Sequence, residues 1–181
     1  MNTTYWQNAQ SLNQRHANQP PQKSIARKRF KKLRGIDLCW ELVQPLSEAI
    51  VQSDKDKKLR GFSPGQQALF TLWHLDSEVT SGGFVQFFWN GYAVYVPVLS
   101  NGLSLIEAKA MERLITEAYE EYQLQQSTFT EYASLIDSPL YAELEKLNQM
   151  DFEYFRLHKK TIDKMEQYIR KYPEEFIAFT D

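Results

Sequence analysis

Cysteine is almost absent from this 181-residue chain: Cys39 stands alone, which excludes an internal disulfide and fits a reducing compartment, the cytoplasm. Seven glycines and seven prolines are too few to turn a sandwich of many short strands. No window approaches the apolar run of about eighteen residues that a membrane-spanning helix needs, so no segment is expected to span a membrane. The opening residues, MNTTYWQNAQSLNQ, lack a charged stretch followed by an apolar one and do not read as a secretory signal. Histidine is scarce, three in all, and acids are missing altogether from residues 1–36. Those thirty-six residues carry eight Lys or Arg, a charge of +8, whereas residues 37–181 carry −10, so the net charge of −2 conceals two opposite electrostatic objects.

What is present is apolar and ring-rich: 43% of residues are hydrophobic and 14% aromatic, enough for one well-packed domain. Residues 1–36 read as a basic, polar, flexible arm, and residues 37–181 as an all-α domain of about six to eight helices. Seven bases crowd residues 23–34. They suit nucleic acid or an acidic membrane surface or, more economically, they lie against the chain's own acidic body or are simply solvated. Asp37 can cap a first helix carrying Leu38, Leu42, Val43, Leu46 and Ile50, which Pro45 is expected to kink or interrupt. Ser63-Pro64-Gly65-Gln66 is a helix start with the elements of a capping box. That helix buries Leu69, Leu72, Trp73, Leu75 and Val79 and stops at Gly82-Gly83. Further helices are expected over Tyr95 to Ile106, with Asn101-Gly102 as a weak point, and over Glu107 to Tyr122. A short one is expected around Tyr141 to Leu147, and a long one from Asp151 to Tyr172 with Phe155, Ile162, Met165 and Ile169 inward.

The stretch TSGGFVQFFWNGY, residues 80–92, sets two glycines directly before a cluster of rings. No Lys, Ser or Thr follows as a phosphate loop requires, so the spacing predicts a packing device. Gly82 and Gly83 allow a tight helix–turn–helix reversal, and Phe84, Phe87, Phe88 and Trp89 fill it. Gln86 and Asn90 are placed to satisfy backbone groups at the turn, and Glu78 to accept from amides of the following helix.

EVTSGGFVQFFWNG, together with YIRKYPEEF behind MDFEYF, resembles the C-terminal domain of the bacterial DNA-mimic protein family, long catalogued as a domain of unknown function. The likeness covers Leu38 to Phe179 and leaves the basic arm outside. It implies an α-helical fold and a non-catalytic activity, posing as duplex DNA before a DNA-binding protein such as a transcription factor. Such a mimic must hold carboxylates outward on a rigid frame. Residues 114–153 supply nine acids against Lys146 alone: Glu117, Glu120, Glu121, Glu131, Asp137, Glu143, Glu145, Asp151 and Glu153. Glu117, Glu120 and Glu121 are expected exposed together, opposite the apolar face of their helix, and with Glu131, Asp137, Glu143 and Glu145 they form the candidate partner-binding surface. Ordinary solubility is the more economical account of an acidic helix face, and Lys109 and Arg113 interrupt this one.

Other functions find less support. His74 and Glu78 stand four apart on one helix, a spacing able to hold a metal, but no second ligand pair supports a metal-dependent enzyme. His158 is ambiguous, and Cys39 reads as a small core residue. No nucleophile elbow or phosphate loop is visible, so no catalytic set, metal or cofactor is expected. An immunity or antitoxin-like protein that neutralises a toxin is the alternative binding role, and the aromatic content permits a homodimer.

Overall fold

The computed structural model describes residues 20–51, 59–132 and 144–181. Its elements run β1 (Lys23–Ile25), α1 (Arg27–Phe30), α2 (Gly35–Val51), α3 (Pro64–Trp89), a 3-10 turn (Tyr92–Tyr95), α4 (Val96–Leu105), α5 (Lys109–Leu124), α6 (Gln126–Tyr132), α7 (Glu145–Lys171), a second 3-10 turn (Pro173–Glu175) and β2 (Ile177–Phe179). The fold is all-α with one small parallel β-pair, Lys23 opposite Ile177 and Ile25 opposite Phe179. That pair joins the two ends of the described chain.

The core lies where α7 packs on α2, α3 and α5, while α4 fills the space between α3 and α5. Every expected apolar residue of α2 is buried, Leu38, Leu42, Val43, Leu46 and Ile50. The helix begins two residues before Asp37 and runs through Pro45 without a break. The α3 start follows its sequence closely. Ser63 Oγ accepts from the Gln66 amide at 3.2 Å, and Gln66 Oε1 accepts from the Ser63 amide at 3.0 Å. Gln66 is fully buried because its Nε2 also donates to the carbonyls of Pro21 and Glu175. Glu175 completes the staple by accepting from Ser63 Oγ, the Gly65 amide and Tyr168 Oη.

The basic segment lies against the protein's own acids, one of the two more economical readings. Lys23 and Arg29 pair with Glu41 at 3.2 and 2.8 Å, and Arg34 lies 3.9 Å from Glu166. Arg27 donates to Asp181 and rests on the Phe179 ring. Lys28, Lys31 and Lys32 are exposed and have no such partner among the described residues.

Three expectations need correction here. Gly102 is not a weak point: α4 is continuous, and a Cβ on Gly102 would stand 2.8 Å from both Cα and Cβ of Ala68 on α3. Its missing side chain lets two helices touch, so Gly102→Ala should cost about 1–3 kcal/mol, the usual penalty for overpacking, read as a lower urea midpoint. Phe155 is 54% exposed, whereas Tyr154 is fully buried. At 100° per residue, Tyr154 lies roughly 20° from Met165 around α7 and Phe155 roughly 80° away, so Tyr154 is the residue that meets the core. The long helix also starts at Glu145, six residues before Asp151. Tyr141 to Glu143, the start of the expected short helix, lie outside the described residues.

Candidate functional site

Helix α3 carries the hairpin. Its backbone leaves helical values at Gly82 and Gly83, and Gly83 takes φ 73°, ψ −176°, a region essentially reserved for glycine. Glu78 Oε2 accepts from Gln86 Nε2 at 2.9 Å and from Asn90 Nδ2 at 2.7 Å. In a straight helix Glu78 and Asn90 would stand about 18 Å apart, so the chain folds back on itself at the glycines. Phe84, Phe87 and Phe88 are all buried. Phe84 meets Tyr154 edge-on at 6.0 Å, and Phe88 stacks on Tyr122 at 4.4 Å, tying the hairpin to α7 and α5.

The polar roles differ from those expected. Gln86 and Asn90 bind the Glu78 carboxylate rather than backbone groups, and the amide at the new helix start goes to Asp151 of α7. Phe84 N–H donates to Asp151 Oδ1 at 2.8 Å. A Cβ on Gly83 would stand 2.2 Å from Asp151 Oδ2, so the glycine also makes room for that carboxylate. Trp89, at 40% exposure, rims the cluster rather than filling it.

Beneath the hairpin lies a polar group that the periodicity did not isolate. Asp76 stands seven residues after Leu69, on the apolar face of α3, and is 9% exposed. Tyr154 Oη donates to Asp76 Oδ1 at 2.7 Å, and His158 Nε2 lies 2.6 Å from the same oxygen. The His158 contact is at ion-pair distance but is not aligned as a straight hydrogen bond. Burial works to raise the Asp76 carboxyl, but its contacts with His158 and Tyr154 outweigh that and hold it below the usual range. The Asp76 contact raises the His158 imidazole despite desolvation. A lone acid in an apolar stripe was the available signal. Close by, burial pushes the Cys39 thiol up to about 12, as suits a core residue.

His74 and Glu78 do not face a common open site. His74 stacks on Tyr92 at 5.2 Å and meets Phe70 edge-on at 4.5 Å, while Glu78 is engaged as above. Among the described residues no group of three or more His, Cys, Asp or Glu could hold a metal ion.

The acidic residues divide. Glu117 and Glu120 are exposed on the outer face of α5, and Glu145 is exposed in the first turn of α7. Glu121 corrects the expectation that all three acids of α5 point outward: it is 6% exposed and meets Lys146 Nζ at 2.5 Å. Glu121 follows Leu114 by seven residues, roughly 20° around the helix, and so shares the buried face. Hydrogen bonds from Lys146 and Gln125 hold its carboxyl below the usual range. Asp151 is turned into the hairpin, and Glu153 pairs with Arg156 at 2.6 Å. Asp137 and Glu143 lie outside the described residues, as does the side chain of Glu131. The Glu121–Lys146 bridge sets the start of α7, where Glu145 stands, beside the last turns of α5, the helix that carries Glu117 and Glu120. The described arm does not cover them; its bases pair with Glu41 and Glu166.

The segment that forms the glycine hairpin lies inside a span matched by a protein family. The family model described as "DMP19-like protein" matches residues 60–172, a narrower span than Leu38 to Phe179. A curated relative, the "DNA mimic protein DMP19" of Neisseria meningitidis serogroup B, is 26% identical over 144 residues, covering 77% of this chain and 86% of its own. No helix among the described residues is long and apolar enough to cross a membrane. With more than half of its length matched by the family model, the chain belongs to the DMP19-like protein family.

Proposed function

We propose that this chain is a non-catalytic, cytoplasmic regulator that occupies the basic, DNA-contacting surface of a DNA-binding protein. The supporting observation is the pair Glu117 and Glu120, exposed on the outer face of α5 with no cation paired to either among the described residues. They stand on a frame that the hairpin and the Glu121–Lys146 bridge make rigid. Rigid carboxylates meet the need of a partner whose affinity for DNA comes from the phosphate field. Glu145, Glu131, Asp137 and Glu143 are assigned to the same surface as part of this proposal. The relative's description as a DNA mimic gives the reading its direction.

Capture of partners from native lysate on the immobilised chain tests the proposal. A DNA-binding protein should be recovered, should elute as salt rises, and should be displaced by duplex DNA. Glu117→Gln/Glu120→Gln should weaken its capture about tenfold, taking roughly 0.7 kcal/mol for each exposed charge. Undiminished capture by that variant would remove these two residues from the contact.

A further inference from the structure

A second charged feature has the opposite sign. Between the start of α5 and the middle of α7 lies a cavity of about 300 Å³. Met111, Leu157 and Ala108 give it an apolar floor, and four cations surround it: Lys109, Arg113, Lys160 and Lys164. An adjoining groove of about 400 Å³ shares Glu107 and Lys164 and continues to Lys171. This concentration of bases stands out in a body that carries −10 over residues 37–181.

The cations are not equally engaged. Lys109 Nζ binds Ser104 Oγ at 2.6 Å and Glu112 at 3.1 Å, and Lys164 lies 3.6 Å from Glu107. Arg113 and Lys160 have neither an ion pair nor a hydrogen bond among the described residues, although both line the cavity. Helix α5 starts at its lip without a side-chain cap, which adds a partial positive charge there.

Glu107 holds the mouth. It joins α4 to α5 with φ 59°, the left-handed region, while the Glu107 and Ala108 amides bond back to Ser104 and Leu103 as in a glycine-terminated helix end. A glycine would adopt this backbone without cost, so the fold sustains a strained residue whose side chain is 81% exposed. What the glutamate adds is a carboxylate at the entrance of a cationic cavity, an internal counter-ion for Lys164.

We propose that this cavity is a binding site for a small phosphate ester with an apolar body. The phosphate would lie among Arg113, Lys160 and Lys164 and displace Glu107, and the organic part would rest on Met111 and Leu157. The volume suits a small molecule. A polyanion is disfavoured, because the cavity is a bounded concavity on an otherwise acidic body.

The test titrates phenyl phosphate, inorganic phosphate and phenol into the full-length isotope-labelled chain at low salt, following backbone amides by NMR. Phenyl phosphate should shift the amides of residues 107–113 and 157–164, inorganic phosphate should do so more weakly, and phenol should not. Arg113→Ala/Lys160→Ala should weaken binding at least about tenfold, whereas Glu107→Gln should tighten it about threefold by removing the competing carboxylate. All three side chains are exposed, so the variants should keep the wild-type spectrum, and Glu107→Gln tests the site alone if the double variant does not fold. The proposal is overturned if Glu107→Gln leaves binding unchanged or weaker, if the shifts fall on Lys28, Lys31 and Lys32 instead, or if an oligonucleotide moves the cavity amides at lower concentration than phenyl phosphate.

Discussion

Replacing Gly83 by alanine should cost about 2–6 kcal/mol, a large part of the roughly 5–15 kcal/mol that holds a typical domain together. Two separate penalties combine. The backbone at φ 73°, ψ −176° costs a residue with a side chain about 1–3 kcal/mol. The new Cβ would also stand 2.2 Å from Asp151 Oδ2, so the carboxylate must move and release the Phe84 amide it accepts from. That amide lies in a buried cluster, where an unpaired donor costs about 1–3 kcal/mol. Urea unfolding of four proteins separates the two penalties: wild type, Gly83→Ala, Asp151→Ala and the double variant. The steric part should vanish in the Asp151→Ala background, leaving the backbone part, so the double variant should be more stable than the sum of the singles. A Gly83→Ala protein within about 1 kcal/mol of wild type would show that the hairpin is not held as described.

Asp76→Ala should be nearly as damaging, about 3 kcal/mol near pH 5.5, because it strands the Tyr154 hydroxyl and a charged His158 beside a buried site. The effect should depend on pH. His158 is raised above its ordinary 6.5 in the fold, so its protonation contributes stability that is complete below that value and lost as pH climbs through the raised one. Asp76 is lowered from its ordinary 3.8, so its contribution is complete above that value and lost as pH falls through the lowered one. The gap between wild type and Asp76→Ala should therefore be widest between pH 3.8 and 6.5 and narrower at pH 9. In His158→Gln the alkaline narrowing should be absent. Equal gaps at pH 5.5 and pH 9 would show that the imidazole carries no charge in this contact.

The two effects have a common position. Asp151, Tyr154 and His158 lie on one face of α7, and they reach α3 on both sides of its reversal, at Asp76 and at Phe84. The glycine hairpin is thus fixed from outside as well as by its own Glu78 contacts. That arrangement gives α5, which stacks on the hairpin through Tyr122 and Phe88, a fixed orientation. It is the orientation of α5 that directs Glu117 and Glu120 outward.

The sequence by itself determined the helical class, the capping box at Ser63, the apolar faces of α2 and α5, and a reversal at Gly82-Gly83 lined by Phe84, Phe87 and Phe88. These are local matters: periodicity, capping chemistry and glycine's backbone freedom act within a few residues of one another. Only the tertiary structure decided which carboxylates are free. Helical phase sets Glu121 on the buried face of α5 and Glu117 off it, but the cation that pairs with Glu121, Lys146, comes from twenty-five positions away, while Glu117 faces solvent. Asp151 likewise counts among the outward acids until α7 lies across α3 and turns it into the hairpin. The cavity ringed by Arg113 and Lys160 exists only because α5 and α7 pack side by side. Charge, unlike helical phase, takes its meaning from neighbours distant in sequence, since pairing and desolvation are set by the packed neighbourhood.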